Sequence, residues 1–92
     1  MDRVAHILVL DDDEGILQLA KRLLERAGHR VSIAPTVALA EKIVDGDVPD
    51  LLILDYRLGT AQTGLDFFRR LRGQGLMTPA ILVTGFTDES KI

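Results

Sequence analysis

Three runs of four consecutive apolar residues, "ILVL" (7–10), "LLIL" (51–54) and "AILV" (80–83), constrain this chain more than any other feature. A strand with one wet face alternates apolar and polar residues, whereas a strand covered on both sides does not. Short uninterrupted runs therefore predict parallel strands with helices on both faces of the sheet. "VSIA" (31–34) alternates, with Ser32 between Val31 and Ile33, and suits an edge strand. Helical patterns separate these segments. Ile16, Ala20, Leu23 and Ala27 recur at helical spacing, widened by Leu17 and Leu24 and opposed by Gln18, Lys21, Arg22, Glu25 and Arg26. Gly28 is placed to end this helix in the left-handed region. Thr36 caps a second helix that carries Val37, Ala40, Ile43 and Val44 inward until "DGDVPD" (45–50) breaks it. A third helix starts near Gly64, buries Leu65, Phe68 and Leu71, and ends at "GQG" (73–75). Strand, helix, strand, helix, strand, helix, strand is the order of an α/β domain with right-handed crossovers.

Composition narrows the functional class. The 92 residues suffice for one domain, and a hydrophobic fraction of 47% with mean hydropathy of +0.17 can offset the entropy of ordering the chain. A net charge of −3 gives no general attraction for phosphate backbones, so nucleic acid is not expected as a direct partner. The absence of cysteine excludes disulfides, thiolate catalysis and cysteine zinc sites, and fits a cytoplasmic location. The apolar runs are far too short to span a bilayer, and no membrane association is expected.

Each buried run delivers an oxygen-bearing side chain to its carboxyl end: Asp11 and Asp12 after the first, Asp55 after "LLIL", and Thr84 after "AILV". Ligands of open parallel sheets sit outside these strand ends, where strand order reverses. Three carboxylates in one crevice repel one another unless a cation sits among them. All the ligands are hard oxygens, with no histidine or cysteine close by, so Mg²⁺ is the expected ion. Beside such an ion a carboxylate can attack phosphorus and form an aspartyl phosphate. Asp55 is the candidate nucleophile because it comes singly from the central strand, while Asp11 and Asp12 form a metal-holding pair. Thr84 could hydrogen-bond the transferred group. Asp13 and Glu14 read as the cap and first-turn acid of the following helix. His6 and His29 are isolated and read as packing or surface residues, and "FFRRLRG" (67–73) as a solvated helix face. No Walker motif occurs.

Together, "ILVLDDDE", "LLILDYRL" with a glycine further on, and "AILVTG" resemble the receiver domain of two-component response regulators over Val4 to about Lys91. The resemblance implies a flavodoxin-like sheet of order 2-1-3-4, with a fifth strand and fifth helix missing from the 92 residues, so that residues 1–92 form a receiver incomplete at its C-terminus. It implies that Asp55 accepts the phosphoryl group from a histidine kinase or phosphotransfer protein. Asp11, Asp12 and Asp55 would hold Mg²⁺ together with the backbone carbonyl of Arg57, and Thr84 would be the switch hydroxyl. The sequence departs from the family pattern in the loop after Asp55 and at its C-terminal end. Gly59 occupies the usual proline position four residues after Asp55, and Gly64 follows Asp55 by nine residues where the family has eight. The family lysine on a fifth strand has no counterpart, since Lys91 belongs to the start of a fourth helix. Losing such a donor typically costs about 3 kcal/mol of transition-state stabilisation, so phosphotransfer is expected to be slow. Without a fifth strand, residues 80–84 form an apolar edge expected to self-associate, by edge pairing or by swapping an element. Two other functions fit parts of the pattern. One is a non-switching receiver remnant that acts as a dimerisation module. The other is a phosphotransferase of the haloacid dehalogenase type, which requires a second Asp where this chain has Arg57.

Overall fold

The structure is a computed structural model that describes residues 4–56 and 63–83. Its elements follow in the order β1 (His6–Leu10), α1 (Glu14–Arg26), β2 (Arg30–Ala34), α2 (Val37–Gly46), β3 (Leu51–Asp55), α3 (Gly64–Gly73) and β4 (Ala80–Val83). All strand pairs are parallel, in the order β2-β1-β3-β4, which is the flavodoxin-like arrangement. β1 lies at the centre and is buried along its whole length, as its unbroken apolar run requires.

The sheet separates two apolar layers. Leu8, Leu10, Leu52 and Leu54 face Val37, Ala40 and Val44 of α2 and Phe67 and Leu71 of α3. Ile7 and Val9 face Leu17 of α1, with Ala20, Leu24, Val31 and Ile53 at the margin. Among the described residues, one side thus has two helices and the other has one. β4 lies at one end of the described sheet, and Ile81, Leu82 and Val83 are exposed there, which fits the expected apolar edge better than burial on both faces. Burial of a strand depends on neighbours that its own four residues do not encode.

Local signals place the helices well. Asp13 caps α1 by accepting from the Ile16 N–H at 3.1 Å, and Thr36 caps α2 by accepting from the Leu39 N–H at 3.2 Å. Gly28 takes φ of +100° just after α1, where a side chain would be strained. Two helix faces differ from the sequence reading. α1 buries Leu17 and leaves Ile16 and Leu23 about half exposed. α3 buries Phe67, while Phe68 is half-buried with the Arg72 guanidinium 4.2 Å from its ring centroid. In both cases the inward face is rotated by about one residue, which an apolar pattern with adjacent hydrophobic pairs does not resolve.

At the amino end of the sheet, both histidines are packing residues. His6 is buried with Nε2 2.8 Å from Ser32 Oγ, and His29 Nδ1 accepts from the Ala5 N–H at 3.1 Å. Asp50 ties the entry of β3 to β1: its carboxylate accepts from the His6 N–H at 2.8 Å, and its N–H donates to the His6 carbonyl at 2.7 Å. Among the described residues, no helix is long and apolar enough to cross a membrane.

Candidate metal and phosphoryl site

Strand register brings the acids together. Leu10 is aligned with Leu54, so the next residues, Asp11 and Asp55, leave adjacent strands side by side. Ala34 accepts from the Asp11 N–H at 3.1 Å and Val83 accepts from the Tyr56 N–H at 2.9 Å, which fixes the two strand ends in the sheet. Carboxylate oxygens of Asp11, Asp12 and Asp55 all lie within 4.8 Å of one another. Asp11 is buried, Asp55 half-buried and Asp12 exposed, so the cluster forms a cup open to solvent on the Asp12 side. Thr84 and Arg57, the other sequence-predicted members, lie outside the described residues.

The donor set fits Mg²⁺. Three carboxylates gathered this closely could each offer one oxygen to a small divalent ion, which would supply the positive charge that the cluster lacks. Three anionic oxygens without nitrogen or sulfur donors disfavour softer metals.

Electrostatics carries the same message. Burial pushes the Asp11 carboxyl above its ordinary value of 3.8; the Asp13 backbone N–H, which Asp11 Oδ1 accepts at 2.9 Å, opposes this, and the charges of Asp55, Asp12 and Asp13 add to the rise. A raised carboxyl pKa in the folded state means that ionised Asp11 destabilises the metal-free protein. The penalty is present at neutral pH and fades as pH falls through the folded value towards 3.8. Asn at this position keeps the oxygen that accepts from Asp13 and removes the charge. Metal-free Asp11→Asn is therefore expected to melt a few degrees above wild type near neutral pH. The gap should close in melts run at progressively lower pH, and a gap independent of pH would show that charge is not its cause. Mg²⁺ should reverse the ranking, because the variant loses a ligand.

Two features that position the site are not evident from the motifs. Gly64, at the start of α3, lies directly against the Asp55 backbone, and a Cβ there would collide with the Asp55 carbonyl oxygen and come 2.9 Å from its carbonyl carbon. The Gly64 N–H also donates to the Tyr56 carbonyl at 3.1 Å. The glycine offset by one residue in sequence thus still returns to the strand end. Thr63 and Asp66 form a reciprocal capping box, with Thr63 Oγ1 accepting from the Asp66 N–H at 3.1 Å and Asp66 Oδ2 from the Thr63 N–H at 3.0 Å. The Thr-x-x-acid spacing was the available signal for it.

Comparison with known proteins agrees with this geometry. Residues 7–92 match the family described as response regulator receiver domain. The alkaline phosphatase synthesis transcriptional regulatory protein PhoP of Bacillus subtilis is 37% identical over 83 residues, covering 90% of this chain and 34% of PhoP. The alginate biosynthesis transcriptional regulatory protein AlgB of Pseudomonas putida is 36% identical over 83 residues, covering 90% of this chain and 18% of AlgB. The chain therefore spans about a third or less of these two relatives. Among solved structures, the N-terminal domain of a response regulator receiver protein from Methanoculleus marisnigri superposes with a TM-score of 0.81 at 25% identity, covering 89% of this chain and 68% of that one. Chemotaxis protein CheY4 of Vibrio cholerae gives 0.80 at 27% identity, covering 87% and 68%.

Proposed function

The chain belongs to the response regulator receiver domain family, and from that premise we propose that Asp55 accepts a phosphoryl group from a phosphohistidine on a histidine kinase or phosphotransfer protein, with Mg²⁺ held by Asp11, Asp12 and Asp55. The observation that carries this reading is the convergence of three carboxylates from two adjacent strand ends within 4.8 Å. A carboxylate oxygen of Asp55 attacks phosphorus in line with the imidazole. The P–O bond forms as the P–N bond breaks, and the electron pair stays on the departing ring nitrogen; the phosphohistidine carries a proton on its other ring nitrogen, so the ring leaves as neutral imidazole. When bound, Mg²⁺ supplies the positive charge that offsets the phosphoryl oxygens. The open side at Asp12 admits the donor, while the buried Asp11, held by the Asp13 N–H, anchors the cup. By the family resemblance, the Arg57 carbonyl completes the ligand set and the Thr84 hydroxyl donates to a phosphoryl oxygen. In this reading the chain is a cytoplasmic signalling module that catalyses only its own phosphorylation and dephosphorylation.

The test is uptake of beryllofluoride, a stand-in for the phosphoryl group, followed by fluorine NMR. Bound signal is expected only with Mg²⁺ present and is expected to vanish on chelation. Absence of bound signal at saturating Mg²⁺, or binding indifferent to the metal, overturns the reading in favour of a module that no longer switches.

A further inference from the structure

We propose that Asp13 is a positioning residue for the cup, acting through Asp11 rather than through its own charge; this rests on the reading that Asp11, Asp12 and Asp55 hold Mg²⁺. Asp13 is the third acid of the run after β1, yet its carboxylate is not part of the cluster. Its polar groups are engaged in two directions. The backbone N–H donates to Asp11 Oδ1 at 2.9 Å, while the side-chain Oδ1 accepts from the Ile16 N–H at 3.1 Å. Asp11 and Asp13 thus form a relay of two carboxylates, each closing a short loop by accepting from a backbone N–H further along the chain. The second closure is the cap of α1.

Both ends of the relay are fixed. Upstream, the Asp11 N–H donates to the Ala34 carbonyl at 3.1 Å, so the Asp11 backbone is held by the sheet. Downstream, the Leu17 N–H donates to the Asp13 carbonyl at 3.0 Å and Leu17 is fully buried, so the first turn of α1 is held by the core. Asp12 lies between the two, within the loop that the Asp13 N–H closes, and the same contact therefore sets the direction of both ligand-bearing residues. The extended backbone of Asp13, with φ of −94° and ψ of 110°, lets one residue serve both contacts, and the cap to Ile16 fixes that backbone. Gly15 leaves room for the cap: a Cβ there would stand 3.2 Å from Asp13 Oδ1.

A carboxylate changes rotamer readily unless something holds one of its oxygens. With Oδ1 held by the Asp13 N–H, Asp11 is ordered before an ion arrives and keeps acceptor capacity for it, so binding does not have to bring about that order. The charge of Asp13 acts in two opposing ways. It adds to the field that attracts a cation, and it repels the ionised Asp11. Because the side chain is exposed, water and salt screen both effects. The contribution of Asp13 to metal binding is then the geometry it imposes on its neighbours.

The test is a Mg²⁺ titration followed by the amide NMR signals of residues 11, 12 and 55, at a temperature where every variant is folded. Asp13→Ala is expected to bind Mg²⁺ about tenfold more weakly, the usual cost of losing a group that orients a ligand. Asp13→Asn and Asp13→Ser keep an oxygen for the Ile16 N–H and remove the charge, and should restore the affinity to within about threefold of wild type. Thr36→Ala deletes the equivalent cap of α2. It should lower the melting temperature about as much as Asp13→Ala and leave Mg²⁺ affinity unchanged. Equal binding by wild type and Asp13→Ala, a loss in the Asn and Ser variants as large as in Ala, or an equal loss in Thr36→Ala overturns this role while the metal reading stands. A wild-type chain with no saturable response to Mg²⁺ overturns the metal reading, and this role with it. If Asp13→Ala fails to fold, the Asn and Ser variants decide it, because positioning preserves their affinity whereas a role of charge lowers it in both.

Discussion

Replacing Asp55 with Asn is expected to abolish phosphoryl uptake, lowering it by about 10³-fold or more, while leaving the fold intact or slightly firmer. Loss of a nucleophile removes the bond-forming step itself, and effects of that size are typical. Asn has nearly the same shape as Asp, so the end of β3 keeps its pairing with β4 through Val83 and Tyr56. Its neutrality removes one of the charges that raise the Asp11 carboxyl, and the metal-free protein should melt no lower than wild type. Asp12→Asn makes the informative contrast. That side chain is exposed and supplies a metal ligand without being the acceptor, so its loss should weaken Mg²⁺ affinity about tenfold and leave uptake measurable at high Mg²⁺. Tyr56, next to Asp55 and the only tyrosine in a chain without tryptophan, offers a fluorescence readout of metal binding for all three proteins. Intact-mass measurement reads uptake directly. Phosphoryl incorporation that survives Asp55→Asn would move the acceptor role to another carboxylate of the cup.

The acids of the cup and the order of elements were legible because they depend on local sequence. An apolar run followed by Asp specifies both a buried strand and a carboxylate at its end, and Asp13 and Thr36 are caps by chemistry alone. What stayed hidden depends on partners. Whether Ile16 or Leu17, or Phe68 or Phe67, turns inward is decided by how each helix lies on the twisted sheet, and adjacent apolar residues make both choices look alike. The exposure of β4 is of the same kind, since nothing within "AILV" reports whether a helix lies above it. Of the site, Asp11, Asp12 and Asp55 converge as their positions suggested, whereas Arg57 and Thr84 fall outside the described residues. Gly64 was the least legible. Counting residues from Asp55 marks it as displaced by one, but its role depends on where the chain returns to the strand, and a longer loop can return to the same place.

Gly64→Ala should therefore be the most damaging glycine-to-alanine change among the described residues, destabilising the protein by about 3 kcal/mol or more and lowering the melting temperature by more than 10 °C. Helix propensity pulls the other way, favouring alanine over glycine by at most about 1 kcal/mol. Sterics wins because the added Cβ meets backbone, the Asp55 carbonyl group, with the Leu54 Cβ a further 3.2 Å neighbour, and backbone within a paired strand cannot swing aside. Gly73, the last residue of the same helix, is the control: nothing lies within 4 Å of its added Cβ and its φ is not positive. Gly73→Ala is expected to be neutral or to stabilise by up to about 1 kcal/mol. Opposite signs at the two ends of α3, read from denaturant or thermal melts, would isolate the contact with Asp55 from any general effect of removing glycine. The functional consequence follows from the same contact. If the molecule accommodates the methyl by displacing the strand end, Asp55 shifts relative to Asp11 and Asp12, and Mg²⁺-dependent beryllofluoride binding weakens even in the folded fraction. Gly64→Ala melting like wild type would show that α3 does not rest on the acceptor's backbone, and the acceptor's position would then have to be set by β3 alone.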